Sequence, residues 1–154
     1  MLFKALIVLG GLAGLWMTPK NAPPSVKAIL GVLLSGLAVS LIPLKAIQPF
    51  GFDLFAIGLL LIVGYSAFKS ALPLKDRLLL AGSGSLCFLS FSFHIYHLPG
   101  AGWLSLTMVL PIALFLYATL KRRQQLVNEL GLLMLCATEG LIELLVLLSS
   151  LMAG

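Results

Sequence analysis

The run CATEGLIELLVLL, Cys136 to Leu148, sets two carboxylates, Glu139 and Glu143, four residues apart in otherwise apolar sequence. On a helix that spacing brings both to one face. A carboxylate near the centre of a bilayer costs about 2.5–3.5 kcal/mol on insertion scales, and two ionised neighbours also repel. The chemistry open to such a pair is to share a proton or to hold a cationic neighbour. His94 is the expected neighbour. The motif HIYH places His94 and His97 three residues apart, so a continuous helix would turn both imidazoles to one side. With Glu143 as a third ligand, His94 and His97 make a donor set for zinc or another divalent metal. Haem between the two is disfavoured, because neighbours on one helix cannot take opposite axial positions. Asp53 follows PFGF at the entrance of an apolar run and reads as a helix N-cap. No other cofactor is expected.

These residues sit in a chain of 154 residues that is 60% hydrophobic and 10% charged, with a mean hydropathy of +1.13. A water-soluble domain of this size has no use for so much apolar surface. The apolar residues come in long runs broken by short polar segments, which predicts an all-α, polytopic membrane bundle. Six spans are expected, at 2–17, 28–44, 52–68, 78–98, 103–120 and 126–152, in one transmembrane domain covering 1–154. The breaks carry turn chemistry: TPKNAPPS, IQPFG, ALPLKD, LPGAG and KRRQQ. The first run, MLFKALIVLGGLAGLWM, has the form of a secretory signal with a poor cleavage site and is read as a retained helix.

The charge pattern predicts an orientation. Lys20, Lys27, Lys69, Lys75, Arg77, Lys121, Arg122 and Arg123 fall in the first, third and fifth breaks, whereas only Lys4 and Lys45 fall on the other side. The positive-inside rule puts the richer side in the cytoplasm and both termini on the extracytoplasmic side. Trp16 and Trp103 then lie at opposite interfaces. The net charge of +5 is spent on topology, which argues against nucleic acid as a partner. A bacterial cytoplasmic membrane is the expected location. The KRRQQ run is an anchor that also suits anionic headgroups.

At about 1.5 Å per residue, His94 lies about 24 Å, Glu139 about 20 Å and Glu143 about 26 Å from the cytoplasmic boundary. His97 and Asp53 lie near the outer surface. All five belong to the outer half, and Glu129 alone is expected below them. The arrangement predicts a polar zone open to the outside with its floor near Glu139. Small-residue pairs Gly10/Gly14, Gly31/Ser35, Gly36/Ser40 and Ala81/Ser85 predict close helix packing. Pro43 and Pro111 predict kinks inside spans. Cys87 and Cys136 read as small core residues.

Three classes of function remain. The glutamates could bond to helices of other membrane subunits, making the chain a non-catalytic or ion-path subunit of a larger complex. They could form the site of a homo-oligomeric transporter or channel for a proton, cation or small solute. His94 and a glutamate could serve an intramembrane lipid-modifying enzyme, although no nucleophile stands out and Ser90 and Ser92 read as ordinary span residues. No Walker loop, dinucleotide fingerprint, HExxH or GxSxG is present, which disfavours nucleotide hydrolysis. No internal repeat is evident.

Two short stretches resemble known families. SLCFLSFSFHIYHLPGAGW, Ser85 to Trp103, resembles a late segment of the lysoplasmalogenase-type membrane family, with Phe91 where that family would have an acid. KRRQQLVNELGLLMLCATEGLIE resembles small antiporter-like subunits of proton-pumping complexes, in which a basic cytoplasmic loop precedes a helix with a central glutamate.

Overall fold

A computed structural model describes residues 2–68 and 72–153, so Lys69 lies outside the described residues, as does the side chain of Lys4. Seven helices make up the structure: α1 (Leu2–Met17), α2 (Pro24–Ser40), α3 (Gln48–Phe68), α4 (Leu74–Ile95), α5 (Ala101–Thr107), α6 (Val109–Lys121) and α7 (Leu130–Ala153). No strand occurs among the described residues. Helices α3 and α4, α5 with α6 taken together, and α7 are each long and apolar enough to cross a membrane; α1 and α2 are shorter apolar helices.

Proline, more than hydropathy, sets the helix bounds. Helix α2 starts at Pro24, with Pro23 as its N-cap, and α4 starts behind Pro73. Proline's fixed φ suits a first turn, where its missing N–H is not needed. Both helices therefore begin four residues before the apolar runs do, and Lys27, Lys75, Asp76 and Arg77 lie in helical first turns. At the other end of α2 the chain stops at Ser40. Pro43 thus terminates a helix and does not kink one, since it bars the residue before it from helical geometry. Pro111 does interrupt its helix. The break at Met108 divides α5 from α6, one turn before the proline, where the ring would meet the carbonyl four residues back.

Helix α7 is the hub. It packs against α1, α2, α4, α5 and α6, and 61% of its most apolar stretch is buried, against 22–39% in the other three long apolar spans. Residues 135–140 are buried all round. The remaining helices close around it in chain order, α1 on α2, α2 on α3, α3 on α4, and α4 on α5 and α6. Glycine allows the closest approaches. A Cβ at Gly51 would lie 2.3 Å from the Ser40 nitrogen, and one at Gly140 would lie 2.7 Å from the Met108 carbonyl oxygen.

Of the small-residue pairs, Gly10/Gly14 packs on α7 at Thr138, Gly131 and Leu135, and Gly36 packs on Gly51 and Phe55 of α3. Gly31 and Ser35 are exposed, and nothing lies within 4 Å of a Cβ at Gly31. Their spacing is right, but they fall on the face of α2 turned away from α3. Trp16 and Trp103 are 88% and 80% exposed, on helix ends that the antiparallel α1/α7 and α5–α6/α7 packing puts at opposite ends of the bundle. Both cysteines are free and buried.

Candidate functional site

Three of the five expected site residues, His94, Glu139 and Glu143, meet between the C-terminal part of α4 and the middle of α7, and Asp53 and His97 line the cavity beside His94. Glu143 is 6% exposed although the residues around it on α7 turn outward. Its Oε2 lies 3.0 Å from His94 Nδ1 and accepts a hydrogen bond of 3.1 Å from the Ser105 hydroxyl. Helix α5 packs on the C-terminal half of α7 and carries Ser105 to the carboxylate.

His94 Nδ1 also lies 3.2 Å from the Ser90 carbonyl oxygen. With Glu143 ionised, both neighbours of Nδ1 are acceptors, so this nitrogen carries the hydrogen and Nε2 is the ring nitrogen without one. Glu139, one turn toward the middle of α7, is 9% exposed, and no described group hydrogen-bonds its carboxyl; Glu143 is its charged neighbour. His94 connects this buried acid pair to the surface. It lines a cavity of about 530 Å³ with Pro49, Phe52, Asp53, Ile95, Tyr96 and His97. Edge-to-face contacts of Phe91 with Phe52 and Phe55, at 6.1 and 5.0 Å between ring centroids, close the α3–α4 seam below it.

Two expectations about this region are corrected. Asp53 is not an N-cap: α3 begins at Gln48, so Asp53 is an exposed residue of its second turn, facing the cavity. His97 does not share a helical face with His94. Helix α4 ends at Ile95, and His97 adopts a left-handed φ of 50°. The His97 N–H donates to the His94 carbonyl and the Leu98 N–H to the Phe93 carbonyl, which is the pairing of a Schellman cap with His97 in the left-handed position. The sequence signal was Leu98-Pro99-Gly100, directly after the histidine. Among the described residues no three His, Cys, Asp or Glu side chains are gathered to hold a metal ion.

A second polar cluster at the opposite end was missed by sequence reasoning. Asp76, in the first turn of α4, is 1% exposed, and Glu129, just ahead of α7, is 3% exposed. Tyr65 donates to Glu129 Oε1 at 2.9 Å, and Arg122 Nε lies 3.8 Å from Asp76 Oδ1. The second oxygens, Asp76 Oδ2 and Glu129 Oε2, have no hydrogen-bond partner. The Arg122 guanidinium is held above its usual range by the Tyr117 hydroxyl and by Asp76. Nearby, Arg77 donates to the carbonyls of Ser66 and Ala67 and ties α4 to the end of α3. Asp76 was legible as the one acid of the ALPLKD break, three residues after a proline, where a helix N-terminus favours negative charge.

No protein-family model matches the chain, and neither a curated protein nor a solved structure matches it. The chain is an all-helical, membrane-type bundle by composition and architecture, and its function has to be argued from these two clusters.

Proposed function

We propose that the chain is a six-pass membrane protein whose Glu143–His94 pair, backed by Glu139, binds a proton delivered through the cavity at Asp53 and His97. The observation that carries this reading is the 3.0 Å contact between Glu143 and His94, with the imidazole also lining an open cavity. A carboxyl and an imidazole at that distance hold one proton between them, and the ring's second nitrogen gives it a route out.

The same contact favours this reading over a purely structural subunit role. If the glutamates served to bond a partner's helices, they would face outward; both are buried within this one chain. The α1 and α2 helices, short for a bilayer of about 30 Å, complete six passes if the membrane thins or their ends lie at the interface. With seven described basic residues at the Arg122 end, the cavity opens on the extracytoplasmic side.

Infrared difference spectroscopy of the full chain, reconstituted in lipid and stepped in pH, tests the site. Among the titrating carboxyl stretching bands of the wild type, one should belong to Glu143. Glu143→Gln should remove that band, and His94→Gln should move its midpoint. A band that survives Glu143→Gln unchanged would overturn the assignment.

A further inference from the structure

The two buried acid clusters stand on the same two helices. Asp76 and His94 are at opposite ends of α4; Glu129 and Glu143 are fourteen residues apart on the α7 side. Between them α4 carries Ser83, Cys87 and Ser90, each fully buried. At 3.6 residues per turn, residues 76, 83, 87, 90 and 94 fall within about 60° of arc, one narrow stripe along α4. Residues 136 and 143 of α7, with Glu129 just ahead of it, are spaced by seven and make a matching stripe on the α7 side. The stripes meet at both places where contacts are direct. Cys87 Sγ donates to the Cys136 carbonyl at 3.4 Å, and His94 pairs with Glu143.

The serines of this stripe behave unlike the other buried serine and threonine hydroxyls among the described residues. Ser66 and Thr138 return theirs to a carbonyl three or four residues back, and Ser105 faces the Ala101 carbonyl and Glu143. Ser83 and Ser90 do not, and their hydroxyls have no hydrogen-bond partner although neither is exposed at all. In an apolar interior an unpaired hydroxyl is costly. Four unpaired buried oxygens therefore lie along one interface: Asp76 Oδ2, Glu129 Oε2, Ser83 Oγ and Ser90 Oγ.

We propose that the α4–α7 interface is a transmembrane proton path, in which Asp76 and Glu129 form a second proton station joined to the Glu143–His94 site through Ser83, Ser90 and transient water. The proposal rests on the reading of Glu143 and His94 as a proton site. A proton taken up by His94 Nε2 releases the Nδ1 proton to Glu143. Hydroxyls and water pass it along the seam, each accepting one proton as it gives up another. Glu129 and then Asp76 receive it in turn, each on its free oxygen, and Asp76 releases it at the Arg122 end. One positive charge crosses per transfer, driven by the proton gradient, with no oxidant, reductant or cofactor. Tyr65 holds one oxygen of Glu129 and Arg122 offsets the charge of Asp76, so both acids keep one oxygen free for the proton.

The test uses the purified full chain in liposomes loaded with the pH dye pyranine, with a potassium diffusion potential set by valinomycin. Wild-type vesicles should change internal pH faster than protein-free vesicles. Asp76→Asn and Glu129→Gln should each return the rate to that of protein-free vesicles, while the titrating carboxyl band of Glu143 persists. Wild-type flux in either variant, or no flux from the wild type, would overturn the path and leave the Glu143–His94 site standing. A wild type with no titrating Glu143 band would instead overturn the reading beneath it. Should either acid variant fail to fold, the double variant Ser83→Ala/Ser90→Ala decides: it loses flux if the seam conducts, and unchanged flux overturns the proposal.

Discussion

At the scale of single residues, Glu143 shows how a costly group is accommodated. Its carboxylate is shared between an imidazole on α4 and a hydroxyl on α5, so three helices meet on one side chain. The i, i+4 spacing with Glu139 and the matching depth of His94 were legible because helical geometry alone predicts depth and face, whereas contact between α4 and α7 was not, because it depends on tertiary packing. The geometry at His97 and Asp53 was not, because a helix end depends on capping and proline, which hydropathy does not register. Ser105 was passed over as well; nothing in its sequence neighbourhood says that α5 will carry it to α7. Interhelical hydrogen bonds in membranes average about 0.6 kcal/mol, because the unfolded chain in lipid also finds partners. Ser105→Ala should therefore lower the unfolding free energy by about 0.5–1 kcal/mol, measured by denaturant titration in detergent micelles. It should also move the midpoint of the Glu143 carboxyl band, since one donor to the carboxylate is gone. A band that does not move would show that Ser105 spends its hydroxyl on the Ala101 carbonyl alone, the second acceptor within 3.2 Å.

At the scale of elements, the six apolar runs correspond to the helices, but their registers differ in a systematic way. Hydropathy reports where side chains suit lipid; prolines at 23, 24 and 73 report where the backbone becomes helical. The polar first turns between these two boundaries hold Asp76, which is why the second cluster stayed hidden. Packing shows the same division. Small-residue spacing identified candidate faces of α1 and α2, yet only tertiary arrangement decides which face has a neighbour. Gly51 and Gly82 make the contrast measurable. A Cβ at Gly51 would intrude to 2.3 Å on the backbone of Ser40, whereas one at Gly82 meets nothing within 4 Å. Backbone cannot rotate away as a side chain can. Gly51→Ala should thus cost about 1–3 kcal/mol or more through overpacking, and Gly82→Ala should be neutral or gain up to about 1 kcal/mol of helix propensity. Equal melting temperatures of the two variants in detergent would contradict the close α2–α3 packing.

At the scale of the whole molecule, charge and cavity are segregated to opposite ends. Lys20, Lys27, Arg77, Arg122 and Arg123 cluster at the end that also holds Asp76 and Glu129, and the cavity at Asp53, His94 and His97 opens at the other. The sense of any proton movement therefore depends on orientation. If the basic end is cytoplasmic, His94 is the entry under an inward proton gradient; if the bundle is inserted the other way, Arg122 guards the entry and His94 the exit. Cysteine labelling decides between them without disturbing the core, because Cys87 and Cys136 are buried and silent toward a membrane-impermeant maleimide. His97→Cys and Arg123→Cys place a thiol at each end, the first at an exposed helix cap and the second in the exposed KRRQQ turn. In intact cells, His97→Cys should react and Arg123→Cys should react only after the membrane is opened. The reverse pattern would refute the positive-inside assignment while leaving the seam intact, and the same liposome measurement would then be read with donor and acceptor ends exchanged. Labelling of both positions in intact cells would mean that the two clusters share one side of the membrane, in which case no proton crosses between them.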